Sequence, residues 1–184
     1  MEFIKGVSQQ FFKLLYNIYK PLLSPKLLRT TRYTIYEQQR NFIYPIGFMA
    51  YGIGNFKHCN FLQLSFIPLK RHNMYSAKVI AESNFLQTLD DINIAIFQEN
   101  YPALKTLKNM NGFIYEKEKL PTNQIVYRGV FNKNKIIKIS NNLLDEAIID
   151  SIPLYNEWLQ LKFNKRKDQL KIINQYVIKN RIRI

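Results

Sequence analysis

Sixteen consecutive residues, Asn41 to Phe56 (NFIYPIGFMAYGIGNF), carry no charge, yet the run contains Pro45, Gly47, Gly52 and Gly54. A membrane-crossing helix needs about 20 apolar residues in a row. Proline and glycine also break helices, so the run reads as buried strand and turn. The chain must therefore build a sheet around this segment. No membrane span is expected. Glu2, Lys5, Gln9, Gln10 and Lys13 interrupt any secretory leader, so none is expected either.

The flanking segments supply partners for that strand. Between Phe61 and Leu69, Phe61, Gln63 and Ser65 alternate with Leu62, Leu64 and Phe66, which suits a half-buried strand ended by Pro68. Residues 26–40 read as an extended arm or a strand, and 74–81 as either strand or helix. Ser83 is a fair N-cap for a helical stripe of Leu86, Leu89, Ile92, Ile96 and Phe97. Pro102 interrupts it, Leu104, Leu107 and Met110 add another turn or two, and Gly112 closes the helix. Residues 123–131 read as a strand, 132–134 as a turn and 135–139 as the return strand of a hairpin. Asn141 or Asn142 caps a short acidic helix, and Ser151 and Pro153 open the last one.

A chain of 184 residues suits one domain. The expected class is α+β, one small mixed domain with amphipathic helical arms at both termini. The expected boundaries are an N-terminal arm over 1–28, a body over 29–152 and a basic C-terminal helix over 153–184. In the first arm Ile4, Val7, Phe11, Leu14, Leu15, Ile18 and Leu22 recur at helical spacing. That stripe can pack on the protein's own core or on a neighbouring subunit. It can also lie on an anionic membrane or act as an import presequence, although arginine is absent before Arg29. Ile4, Val7, Phe11, Leu14 and Ile18 are the residues expected to face a partner or lipid.

Charge is unevenly spread. Lys plus Arg number 27 against 13 Asp plus Glu, for a net +14. Residues 1–40 hold seven basic and two acidic side chains, and residues 154–184 hold eight and two. Basic ends on a nearly neutral body suggest a polyanionic neighbour. Candidates are rRNA phosphates, anionic lipid headgroups or acidic faces of partner subunits; a merely solvated face is the bland alternative. The residues expected to face the polyanion are Arg29, Arg32, Arg40, Lys162, Lys165, Arg166, Lys167, Arg181 and Arg183. Tyr33, Tyr36 and Tyr44 lie among the first of these and have the right chemistry to stack on bases.

Little in the chain assembles as chemistry. One cysteine, Cys59, excludes an intramolecular disulfide framework and cysteine-only metal sites. His58, Cys59 and His72 do not make a closed metal site, and adjacent residues on a strand point to opposite faces. Asp90 and Asp91 diverge on a helix. No phosphate loop, dinucleotide fingerprint or nucleophile elbow occurs. No catalytic, cofactor-binding or metal-ligating residue is expected, and no cofactor.

Two resemblances add to this. The chain holds 24 Ile, 19 Asn, 19 Lys, 13 Phe and 12 Tyr but only 6 Gly and 8 Arg, so residues with A/T-rich codons dominate. In this it resembles proteins encoded in protist mitochondrial genomes, ciliates especially. That resemblance implies a mitochondrial location, peripheral on the inner membrane or in the matrix. Separately, Gln124 to Val130 (QIVYRGV) resembles the first strand motif of arginine-specific ADP-ribosyltransferases, which implies that Arg128 would hold a dinucleotide. The S-T-S strand and E-x-E motif of that family are missing downstream. The expected function is a non-catalytic accessory subunit of a respiratory-chain complex, contacting other subunits and lipid, with no small-molecule substrate. A mitochondrial ribosomal protein is the alternative, and an ADP-ribosyltransferase-like enzyme a distant one.

Overall fold

Local chemistry explains where the elements begin and end. Ser8 sits in extended backbone and its hydroxyl accepts from the Phe11 amide, so helix α1 (Gln9–Tyr19) starts at a true N-cap. It ends at Lys20, just before Pro21, which has no amide hydrogen to continue the ladder. Asn100 caps helix α3 (Tyr101–Asn109) through the Ala103 amide, and Pro102 occupies its first turn. The computed structural model describes residues 1–24, 31–53, 60–70, 75–83, 91–132 and 142–184. The other helices are α2 (Tyr75–Glu82) and α4 (Asn142–Lys179). The strands are β1 (Glu2–Lys5), β2 (Thr31–Gln39), β3 (Phe42–Ile53), β4 (Asn60–Phe66), β5 (Ile92–Phe97), β6 (Phe113–Lys119), β7 (Ile125–Phe131) and β8 (Ile182–Arg183).

The class is α+β, as the residue patterns imply. The strands follow the hydrogen-bonded order β1-β2-β3-β4-β5-β7-β6, with β8 added to β3. β1–β2, β2–β3, β3–β8, β5–β7 and β6–β7 pair antiparallel, whereas β4 and β5 are parallel at Phe61↔Asn93 and are joined in the chain through α2. A parallel pair needs such a crossover, whereas a short turn suffices elsewhere. None of the described helices is long and apolar enough to cross a membrane.

The chain divides into two compact units. The first comprises residues 1–52, 62–75 and 162–184. Its core is the sheet of β1 to β3 under α1. Phe11, Leu15, Ile35, Phe48, Met49 and Ile173 are all but sealed from solvent. Phe12 meets Phe48 edge-on at 5.6 Å, and Phe11 stacks on Tyr176 at 5.1 Å. The Tyr19 hydroxyl donates to the Phe66 carbonyl at 2.8 Å, which pairs the one polar atom of a buried ring. Two of the residues expected to face a partner or lipid, Phe11 and Ile18, are therefore interior, at 1% and 6% exposure. Burial of each contributes about 1.5–3 kcal/mol. Val7 and Leu14 are half-buried, and Ile4 is exposed on β1, the first strand of the sheet order. The described part of the uncharged run, as far as Ile53, forms the long strand β3. Gly47 is required there, because a Cβ would collide with the Ser65 carbonyl.

The second unit comprises residues 53–61 and 76–161. Its strand β7 has both edges filled, by β5 (Ile92↔Phe131 to Phe97↔Val126) and by β6 (Phe113↔Val130 to Lys119↔Ile125). The strand expected over 123–131 is β7, and the return strand expected at 135–139 lies outside the described residues. The helix expected from Ser83 to Phe97 is also corrected: its described part, Ile92–Phe97, is strand β5. Ile92, Ile94 and Ile96 satisfy a two-residue period, and the pairing with β7 decides between the two periods. The two helices expected around Pro153 are one, α4, with the proline inside it. Gly112 and Gly129 both lie against Leu107 of α3, where a Cβ on Gly129 would sit 2.8 Å from Leu107 Cδ2. Tyr101, Tyr155 and Trp158 form an aromatic column, with the last two stacked at 5.6 Å.

Candidate active site

The two faces of the β5-β7-β6 sheet differ in kind. On one face Ile94, Tyr127 and Gly129 share the side that meets Leu107 of α3. The opposite side presents Asn93 and Ala95 of β5, Arg128 of β7, which pairs with Ala95, and Glu116 and Glu118 of β6. The register slips between Ile114 and Glu116, so Tyr115 occupies a bulge. A bulge re-aims a side chain that the regular pleat would send elsewhere. Here it brings the Tyr115 phenol within 3.3 Å of Asn93 Oδ1, to which it donates.

Ion pairing fixes part of this face. Arg128 donates to Glu118 Oε2 from Nε at 3.0 Å and from Nη2 at 2.5 Å. The arginine side chain is 15% exposed and that of Glu118 36%, so the pair is shielded on the arginine side. Glu116 stands directly across from Arg128 in register, yet its Oε2 is sealed from solvent and has no hydrogen-bond partner among the described residues. Glu99 Oε2, in the turn that follows β5, is in the same condition. A shielded carboxylate oxygen without a donor is costly. It accepts only, so a ligand that satisfies it must bring N–H or O–H groups, and a cationic amine brings several. At the end of the patch, Asn132 donates to Asp91 at 2.8 Å.

Two tyrosines are perturbed elsewhere. Burial, followed by the charge of Asp150, pushes the Tyr127 phenol above its usual 10.0; a hydrogen bond with Gln98 opposes this and Glu146 adds to it. Burial and then Tyr176 raise Tyr36 in the same way. Both stay protonated near neutrality and act as structural phenols.

The basic residues singled out by charge are distributed more widely. Arg40 lies in the β2–β3 turn with φ of +54°. Arg181 sits over the Phe42 ring at 5.1 Å, and Arg183 pairs with Phe42 in register, so these three gather about one aromatic residue. Arg32 is farther along β2, opposite Ala50. Lys167 is exposed on α4. Lys162, Lys165 and Arg166 belong to α4, but their side chains are outside the described set, as is Arg29. Cys59, His58 and His72 also lie outside it, and the described residues contain no group of three or more His, Cys, Asp or Glu able to hold a metal.

No protein-family model and no curated protein matches this sequence. Solved structures do resemble the fold. A chimera of the Vibrio cholerae spermidine N-acetyltransferase SpeG with hSSAT superposes with a TM-score of 0.51 at 13% identity, over 73% of this chain and 96% of that one. A domain from Methanocaldococcus jannaschii gives 0.47 at 12% identity, over 69% and 97%. The Vibrio cholerae spermidine N-acetyltransferase in complex with CoA and spermine gives 0.46 at 16% identity, over 71% and 79%. The first of these shows a shared N-acetyltransferase-like fold.

That finding overturns the expected respiratory-chain subunit and its ribosomal and ADP-ribosyltransferase alternatives. The fold is that of a named enzyme of small-molecule acetylation, so the expectations of a non-catalytic chain and of no small-molecule substrate are withdrawn as well. Charge and composition misled because they describe the surface, whereas the likeness is one of backbone fold at 13% identity. Arg128, which the motif resemblance assigned to a dinucleotide, is instead held by Glu118.

Proposed function

We propose that this chain is an acyltransferase of the N-acetyltransferase type, passing an acyl group from a coenzyme A thioester to an amine. The observation that carries the reading is the fold shared with the spermidine N-acetyltransferase chimera, at a TM-score of 0.51 over 73% of this chain. Glu116 supports the choice of an amine, because an ammonium group supplies the donors its sealed oxygen lacks. In the proposed step Glu116 takes a proton from the ammonium, and the freed nitrogen lone pair attacks the thioester carbonyl. The C–N bond forms and the C–S bond breaks. The departing thiolate takes a proton from the Tyr115 phenol, the phenolate is restored by the second proton that the nitrogen sheds as it becomes the amide, and Glu116 releases its proton to water. Asn93 orients that phenol through its amide oxygen.

The test is thiol release from acetyl-coenzyme A in the presence of a panel of amines that includes a polyamine. Release should depend on the amine. Glu116→Gln should lower kcat/KM by roughly 10²–10⁴ while leaving the melting temperature nearly unchanged. No thiol release with any amine, together with no binding of coenzyme A, would rule the reading out. The A/T-codon bias supports a mitochondrial location as a separate proposal, which fractionation of the source cells would decide.

A further inference from the structure

Strand β8 and the β2–β3 turn meet at one corner of the first unit. β8 pairs with the start of β3, Arg183 against Phe42 and Ile182 against Ile43. The Ile184 amide donates to the Asn41 carbonyl at 3.0 Å, which ties this segment to the turn itself. Residues opposed across a ladder share a face, so Arg183 stands on the side of Phe42. The Arg181 guanidinium lies 5.1 Å from the centre of that same ring, and its Nη1 donates to the Ile178 carbonyl at 2.8 Å. Gln39 pairs with Phe42, so the loop between β2 and β3 is Arg40 and Asn41 alone. Such a loop needs a positive φ, which glycine adopts freely. Here Arg40 takes that position, at +54°.

Arg40, Arg181 and Arg183 are exposed, and among the described residues none of them is ion-paired. Glu37, the acidic residue on this stretch of β2, is held by Lys70. The guanidinium groups thus share one corner with their charge unmatched, although like charges repel. A residue other than glycine kept in the left-handed region points to a task for its side chain. The Arg181 fork is already set, because the Phe42 ring fixes its plane and the Ile178 carbonyl takes one of its N–H donors. The remaining donors suit an oxyanion. A phosphate monoester brings a charge of about −1.5 to −2 and enough acceptor oxygens for more than one guanidinium, whereas a carboxylate brings a single charge. We propose that this corner binds a phosphate monoester group, with Arg181 and Arg183 gripping its oxygens and Arg40 reaching it from the turn. The inference does not depend on the proposed acyl transfer.

The test follows the phosphorus NMR line of inorganic phosphate on titration with the full chain at constant ionic strength. In parallel it follows cosedimentation of the chain with phosphatidylcholine vesicles that do or do not contain phosphatidic acid. Binding in the first assay identifies a soluble phosphate as the ligand, and binding only to the vesicles with phosphatidic acid identifies a headgroup. In whichever assay responds, Arg181→Gln with Arg183→Gln should weaken binding about tenfold. Arg40→Gly should also weaken it, with a melting temperature at or above that of the parent. Lys167→Gln with Lys171→Gln removes the same charge from α4 within the same unit and should leave the affinity within about twofold. Each variant should keep the circular dichroism of the parent. No response in either assay would overturn the proposal. So would an equal loss in the lysine variant, which marks general charge in place of a site, or an affinity that the arginine variants leave unchanged.

Discussion

At the scale of single residues, hydrogen-bond completeness separates most polar groups of the fold from Glu116, the residue to which the proposed reaction gives the base's role. Ser8, Asn100, Arg128 and Tyr19 each have a partner within the fold, and their roles are to cap, pair or anchor. Glu116 Oε2 does not, and no pattern in the sequence could announce it. Glu116, Lys117, Glu118 and Lys119 read as a solvated run, and only the pairing of β6 with β7 turns the glutamates toward Arg128. The caps at Asn100 and Ser8 sit where the side-chain chemistry of asparagine and serine favours them. Tyr127 carries a prediction at this scale. Its phenol is held protonated above the usual 10.0, so from pH 10.0 upward the unfolded chain sheds this proton before the folded one does. Stability that is fully present below pH 10.0 is then lost as the pH rises through the folded value. Tyr127→Phe should cost about 0.5–1.5 kcal/mol near neutrality for its hydrogen bond. The same variant should lose less stability than the parent on the alkaline side, as thermal melts at neutral and alkaline pH would show.

Among the elements, those with one clear period or a strong punctuating residue could be read in advance. β3 follows from its uncharged run with glycines and proline, β4 from alternation, and the end of α3 from Gly112. β5 could not, because Ile92 and Ile96 fit a helix as well as a strand until β7 is beside them. β6 was obscured by its alternating charges, and the continuity of α4 by Pro153. The close approach of α3 to its sheet makes a measurable claim. A methyl group at position 129 would press on Leu107 Cδ2 at 2.8 Å and the Phe113 carbonyl at 3.1 Å. Gly129→Ala should therefore destabilise by about 1–3 kcal/mol, read as a lower denaturation midpoint at unchanged slope. Gly47→Ala should cost at least as much, since its obstacle is the Ser65 backbone, which cannot rotate away.

For the molecule as a whole, the α+β class was accessible from the pattern of apolar periods, but the order of strands was not. Which strands become neighbours is fixed by long-range contacts such as Phe61 with Asn93, and nothing local encodes that pairing. The net charge of +14 was plain from composition, yet it bears on surface and association and is silent on the fold. The division into two units also has a practical side. Trp158 is the chain's one indole, 8% exposed and stacked on Tyr155 within the second unit. Its emission colour is thus a private optical gauge of that unit. Excited at the red edge, where tyrosines stay dark, the protein should brighten or shift only when the Tyr155 column opens. A far-ultraviolet melt that precedes or trails this signal would reveal the other unit loosening on a schedule of its own.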